Sequence, residues 1–420
     1  MRVLFLASHD LRRYRHSRFK RLVRHLGPHF PGSVVIYRVH PVGERARWSR
    51  EALFRLGVER WREGGLLHLG LDPWLNYPLH AGARLTGTNP YARPPRRRRL
   101  VAALLGTLGT ARWWAVLASL AALWRRELAG QRFEVALAQG VMEGLFALWL
   151  RRQGAVRRVV YDDHDYEAGF VTTSPLAHAL MRRLENRALV GADLVVSVGE
   201  MLAEKRRREL GLSPLVVENG VELALFRPPG DLEGPLRRVV YAGFVGGWSG
   251  LDLLARAVRR LPPDRRPEVV VLGHEDPVFR RELERLASGL PFRLLGPRPH
   301  QELPAHFARA QVGWALFRPI PLRRYAFSMK VLEYMACGLA VLTTEGTQAA
   351  RTVGKAGLAL PYEAEAVARA LSGLGEAELA GLRARAVRQA QGYDWEQLLA
   401  RYRRALSAEL PGSGPEGNLN

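Results

Sequence analysis

Short apolar runs recur along the chain, and most are followed by stretches whose apolar residues fall three or four apart. Runs at 3–7, 33–37, 135–138, 158–161, 194–198 and 215–217 read as buried strands. A second series follows at 239–242, 269–272, 292–295, 312–316 and 340–343, with helical spacing at 251–261, 279–287 and 329–336. Strands alternating with helices predict parallel sheets covered by helices on both faces, an α/β fold. The two series predict two doubly wound Rossmann-like domains rather than one long sheet. Asn219-Gly220 and the Pro-Pro-Gly-Asp that ends at Asp231 mark the joint. The expected division is an N-terminal acceptor-binding domain over 1–215 and a C-terminal domain over 216–390. A closing helix over 391–410, within a helical pattern that spans 383–410, and a disordered tail over 411–420 complete it. Residues 39–130 show no period and read as an irregular insertion. Ligands of open parallel sheets bind beyond the carboxyl ends of the strands. Two such domains facing across a cleft therefore suit a donor on one side and an acceptor on the other.

One segment tests the soluble reading. Residues 100–124 carry a single charge, Arg112, and follow four arginines at 96–99. The length permits a membrane span, but Gly106, Gly109 and Arg112 divide the run. Trp113, Leu117, Leu120 and Trp124 share one helical face. A buried helix pair is the favoured reading, ahead of an interfacial element that dips into a membrane and of a true span. The apolar run at the N-terminus is too short for a signal peptide and is expected to be the first strand.

Composition adds charge to this picture. The 420 residues hold 63 basic and 40 acidic side chains, a net charge of +23. Only Lys20, Lys205, Lys330 and Lys355 among the basic residues are lysines, a skew expected of arginine-rich coding. Residues 1–100 carry 21 basic and 6 acidic side chains, so the excess is concentrated there. Such a field favours an anionic partner: a membrane surface, a phosphorylated lipid or nucleic acid. No zinc-ligand spacing, helix-turn-helix or RNA-binding aromatic motif supports nucleic acid. Cys337 is the sole cysteine, which excludes a disulfide framework.

Three places carry candidate chemistry. Around 325–341 a helix is expected to start near Ser328 as N-cap, where free N–H groups suit a phosphate. Lys330 and Glu333 are three apart on one face. The cation would hold a diphosphate and the carboxylate would accept from two ribose hydroxyls, unless the two form a plain surface pair. A strand then runs into a glycine-rich loop at 243–250, where Gly246 and Gly247 would let backbone amides approach a phosphate. Finally Asp162, Asp163, His164, Asp165 and Glu167 cluster after a first-domain strand. That cluster admits metal ligation, acid–base chemistry, hydroxyl recognition or a solvated turn.

Taken together these pieces resemble the GT-B class of nucleotide-sugar glycosyltransferases, and glycosyltransferase family 4 (group 1) in particular, in a divergent branch. The landmarks run in family order: the Glu-Asn-Gly at 218–220, the glycine loop, Gly-Pro-Arg-Pro-His at 296–300, and Lys330-Val-Leu-Glu333-Tyr-Met-Ala-Cys-Gly338. Tyr393-Asp-Trp-Glu396 closes the series. The resemblance implies a sugar transferred from a UDP- or GDP-linked donor to a glycan or glycolipid acceptor. It implies no bound metal or other cofactor, and a cytoplasmic, peripheral location. It places Glu333 on the donor ribose, Lys330 with the loop amides of Gly246 and Gly247 on the diphosphate, and Arg298 near the base. His164, with Asp163 or Asp165, would contact the transferred sugar or assist catalysis. Glu143 joins the aspartates as a candidate base if the reaction inverts. Tyr325, Phe244 and Ser249 stand where the family usually has a glutamate and two cations, which leaves Arg318, Arg323 and Arg324 as substitutes. The competing expectations are a GT-B epimerase and a non-enzymatic basic binder of membrane or nucleic acid.

Overall fold

A computed structural model of the chain describes residues 1–12, 17–39, 56–74, 104, 107–172 and 174–408. It divides into two compact units, Met1–Val217 with Leu399–Asn420, and Glu218–Leu398.

The first unit runs β1 (Val3–Ala7), α1 (Arg18–Leu26), β2 (Val34–Arg38), β3 (Gly57–Glu63), β4 (Leu66–Asp72), α2 (Ala111–Glu127), β5 (Phe133–Gln139) and α3 (Val141–Arg152). It continues with β6 (Val156–Asp163), α4 (Pro175–Gly191), β7 (Leu194–Ser197), α5 (Glu200–Leu210) and β8 (Leu215–Val216). Its sheet has the order β3-β4-β2-β1-β5-β6-β7-β8. All pairings are parallel except β3 with β4. Every residue of β1 is buried, as expected of a central strand covered on both faces.

Two expectations for 39–130 need correction. The stretch is not wholly irregular, since β3 and β4 form a hairpin that extends the sheet. Gly64 and Gly65 make its two-residue turn at φ 58° and 78°, the left-handed conformation that such turns require. The charged strand β3 is an edge, and Trp61 stacks on the buried His68 of β4 with ring centroids 5.3 Å apart. Nor do the described residues show a helix pair over 100–124. A single helix, α2, begins after Thr110 and buries Trp113, Val116, Leu120, Leu123 and Trp124, so its apolar face is used within the unit. Among the described residues no helix is long and apolar enough to cross a membrane. The arginines at 96–99 lie outside the described residues.

The second unit runs β9 (Arg238–Ala242), α6 (Leu251–Arg260), β10 (Glu268–Leu272), α7 (Pro277–Ala287), β11 (Phe292–Leu294), α8 (Leu303–Phe307) and β12 (Val312–Ala315). Then come α9 (Pro321–Tyr325), α10 (Met329–Ala336), β13 (Ala340–Thr344), α11 (Gln348–Val353), β14 (Gly357–Leu360), α12 (Ala364–Gly373) and α13 (Glu376–Ala390). Its parallel sheet has the order β11-β10-β9-β12-β13-β14. The chain ends in α14 (Trp395–Ala408), whose residues from Leu399 onward belong to the first unit. The helical pattern over 383–410 is thus broken. A turn at Gln391–Tyr393 separates α13 from α14, and Asp394 accepts a bond from the amide of Glu396 (2.7 Å) at the start of the new helix. Residues 411–420 lie outside the described residues.

In each unit the strand order reverses once, between β1 and β5 in the first and between β9 and β12 in the second. Loops leaving the carboxyl ends of these neighbouring strands diverge there and leave a crevice. Both groups of candidate residues sit beside these reversals.

Candidate functional site

In the first unit a cavity of about 620 Å³ is lined by Ser8, His9, Ser17, His164, Asp165, Glu167 and Phe170. Ser8 and His9 follow β1, and His164 and Asp165 follow β6, on either side of β5. Ser17 caps α1, accepting from the amide of Lys20, and its hydroxyl is bonded to His9 Nε2 (3.0 Å). His164 Nε2 lies 3.8 Å from Asp165 Oδ2, and both side chains remain partly accessible.

The carboxylates of the Asp/His cluster divide sharply. Asp162 is fully buried and receives Arg18 Nε at 3.0 and 3.1 Å, Gln139 Nε2 at 3.0 Å and the Tyr402 hydroxyl at 3.4 Å. Asp163, expected among the catalytic candidates, is also interior. Arg206 Nε and Nη2 donate to its two oxygens at 3.0 and 2.9 Å, and Ser197 Oγ adds a third bond at 2.9 Å. With both oxygens engaged and 1% of its surface exposed, Asp163 serves to tie β6 to α5. Arg206 Nη2 also donates to Glu185 (2.8 Å), which accepts from the amide of Glu167 (2.9 Å). His164, Asp165 and Glu167 are the cluster members that face the cavity.

Burial raises Glu167 to about 7, aided by Glu185 and Glu143 and opposed by His164 and Arg38. Its Oε2 accepts from the amide of Val141 (3.3 Å), at the start of α3. Burial likewise raises Glu143, whose Oε1 pairs with Arg38 Nε at 2.8 Å. Glu143 does not line the cavity.

In the second unit, α10 presents Lys330 and Glu333 as the spacing predicts, but the two do not pair. Lys330 turns inward over the ring of Tyr241, with Nζ 4.3 Å from the centroid, and faces Phe317 at 5.3 Å and Trp248 at 5.8 Å. Burial lowers Lys330 to about 7, with Arg323 pushing in the same direction and Glu333 opposing. Among the described residues no carboxylate forms an ion pair with Lys330. Glu333 instead accepts from His300 Nε2 at 2.9 Å, and the imidazole packs edge-on against Phe226 with centroids 5.1 Å apart. That bond fixes the carboxylate half-buried at the protein surface. Ser328 takes the N-cap position of α10 with extended backbone, without the side-chain cap that its type suggests.

The glycine loop leaves β9 at Gly243 and closes on itself through a bond from Ser249 N to Gly246 O (2.8 Å). Gly246 is buried against the ring of Phe244, and a β-carbon there would lie 2.9 Å from it. Gly247 is half-buried beside it, before Trp248. Arg298 is exposed in the loop after β11 and donates to Pro297 O (3.2 Å). Of the arginines considered as substitutes, Arg318 pairs with Asp252 at 3.1 Å and Arg324 lies 5.9 Å from the ring of Tyr325. Arg323 lies flat on Trp248 with Cζ 3.5 Å from its centroid. Among the described residues no group of three or more His, Cys, Asp or Glu is placed to hold a metal ion.

Residues 237–376, which contain the glycine loop, Lys330 and Glu333, match the family of glycosyl transferases group 1. This unit is a group 1 glycosyltransferase domain. No curated protein sequence matches the chain. Solved structures share the fold over nearly its whole length. Sucrose-phosphate synthase from Thermosynechococcus elongatus is 18% identical, with a TM-score of 0.69, covering 97% of this chain and 100% of that one. The Anabaena protein HepE, solved with UDP and glucose, is 16% identical, with a TM-score of 0.63 and the same coverage. A UDP-forming α,α-trehalose-phosphate synthase from Burkholderia vietnamiensis is 16% identical, with a TM-score of 0.66, covering 97% of each chain. The whole chain therefore has the GT-B fold, and the glycosyltransferase domain carries its Lys330 and Glu333 where β9 and β12 diverge.

His300, Trp248 and Arg323 escaped sequence reasoning as functional residues. The signal for His300 was its place in Gly-Pro-Arg-Pro-His, although nothing local joins it to a glutamate 33 residues later.

Proposed function

We propose that the protein transfers a sugar from a nucleoside-diphosphate sugar, UDP- or GDP-linked, to a hydroxyl of a glycan or lipid-linked glycan. The observation that carries this reading is the Glu333 carboxylate, oriented by His300 one turn along the helix from Lys330, inside the segment that matches the family. A fixed carboxylate half-open to solvent is suited to two ribose hydroxyls, and an inward lysine beside a glycine loop is suited to a diphosphate. Arg298, exposed on its loop, is placed to approach the base. The complex of Anabaena HepE with UDP and glucose supports a uridine donor.

The cavity of the first unit is the acceptor site in this reading, with His164 and Asp165 contacting hydroxyls. The imbalance of 21 basic to 6 acidic residues over 1–100 favours an acceptor at an anionic membrane surface, with the protein bound peripherally on the cytoplasmic side. As the bond from the sugar to the diphosphate breaks, negative charge gathers on the leaving phosphate, and fixed cations there stabilise the transition state more than the ground state. No metal is required by this arrangement.

The test is transfer of label from UDP- and GDP-sugars to lipid and glycan acceptors. Wild-type transfer that Glu333→Ala abolishes is expected. Transfer by Glu333→Ala at the wild-type rate would refute the site.

A further inference from the structure

Two cations share one aromatic surface in the second unit, and nothing drawn from the protein balances them there. Arg323 Cζ lies 3.5 Å from the Trp248 centroid on which Lys330 Nζ also borders, at 5.8 Å. Both face Phe317 as well, at 5.6 and 5.3 Å. Like charges so placed repel, and Arg323 is indeed among the groups that disfavour the charged form of Lys330. An aromatic face contributes about 0.5–2 kcal/mol to a cation, whereas withdrawing an ammonium from water without a counter-charge costs several times as much. The arrangement is nonetheless built with care. Gly243 leaves room for the ammonium, and a ring holds the guanidinium plane from behind. A buried lysine, a stacked arginine and a glycine slot at the point where the strand order reverses together describe a receptacle for an anion carrying more than one charge.

We propose that Arg323 and Lys330 form a two-cation clamp for the diphosphate of the donor, with Trp248 as the plate that orients Arg323. The proposal rests on the donor reading given above and goes further, because it selects one arginine and gives the aromatic residues a task. Arg318 is excluded by its pairing with Asp252, and Arg324 is directed to Tyr325. A guanidinium offers parallel donors to two oxygens of one phosphoryl group, while an ammonium makes a point contact. The pair can therefore grip both phosphates without the loop cations that Phe244 and Ser249 replace.

The experiment is calorimetric titration of wild type, Arg323→Gln, Arg323→Lys and Arg324→Gln with UDP, GDP, uridine, guanosine and inorganic pyrophosphate. Arg323→Gln is expected to weaken the diphosphate that wild type binds by about 10–100-fold, the range for loss of a charged hydrogen-bonding partner. Its nucleoside affinity should stay within twofold of wild type. Arg323→Lys should recover part of the loss, and Arg324→Gln should match wild type. Diphosphate affinity in Arg323→Gln within twofold of wild type would overturn the clamp, and so would an equal loss for nucleoside and diphosphate. If wild type binds pyrophosphate in an Arg323-dependent way but neither nucleotide, the donor reading fails and the clamp stands.

Discussion

The ammonium of Lys330 occupies the volume that a β-carbon on Gly243 would fill. The two residues belong to different layers, the end of a central strand and the first turn of a helix, and only a glycine lets them meet. Gly243 also has a φ of 147°, which side chains rarely tolerate. Gly243→Ala is therefore expected to displace the lysine and strain the loop, lowering stability by about 1–3 kcal/mol. UDP affinity should fall at least as far as in Lys330→Met. Thermal melting and calorimetric titration measure the two effects separately.

A second expectation concerns protons. Lys330, lowered to about 7, is mostly neutral at pH 8 in the empty site. A bound diphosphate favours the charged form and raises that value, so binding at pH 8 takes up a proton. Affinity is then flat well below pH 7 and declines as pH climbs above it. Calorimetry at pH 8 in two buffers of different ionisation enthalpy will report the uptake. It should vanish in Lys330→Met.

Glu167 provides a test in the first unit. Its folded-state value, about 7, lies above the ordinary carboxylate value of 4.5. The native state therefore holds the proton more tightly than the unfolded chain, and stability falls as pH rises from 4.5 through 7. Glu167→Gln removes that penalty. The variant should melt above wild type at pH 8, with the difference closing near pH 4.5.

Arg206 joins Asp163 and Glu185 in the interior. Arg206→Leu would leave two carboxylates buried without their cation, at a cost of about 3–5 kcal/mol. Chemical denaturation should show the loss in the first unit's transition, while UDP binding, a property of the second unit, should persist where that unit remains folded.

The sheets were largely legible because central parallel strands, covered on both faces, appear in sequence as uninterrupted apolar runs; β1, β9, β10, β12 and β13 all do. The strand β3 was hidden by its position, since an edge strand is free to carry Glu59, Arg60, Arg62 and Glu63. The Gly64-Gly65 pair was its local signal. In β14, four residues were too short a run to register. The spacing of Lys330 and Glu333 was legible because one helix carries both, but their partners come from elsewhere. His300 reaches Glu333 from 33 positions earlier, and Trp248 and Arg323 meet at the ends of different elements. Asp163 misled for the same reason. Its partner Arg206 lies 43 residues on, within a Lys-Arg-Arg-Arg run that reads as solvated surface, although the structure buries Lys205 and Arg206.

The last helix carries a consequence for how the chain is made. Residues from Leu399 onward return to the first unit, and the Tyr402 hydroxyl bonds the buried Asp162 on β6. On the ribosome, the second unit is therefore complete before the final piece of the first has been synthesised. The N-terminal sheet must wait, with an interior aspartate still missing one of its bonds, for some 240 residues of translation. The unit made last is thus free to finish folding first.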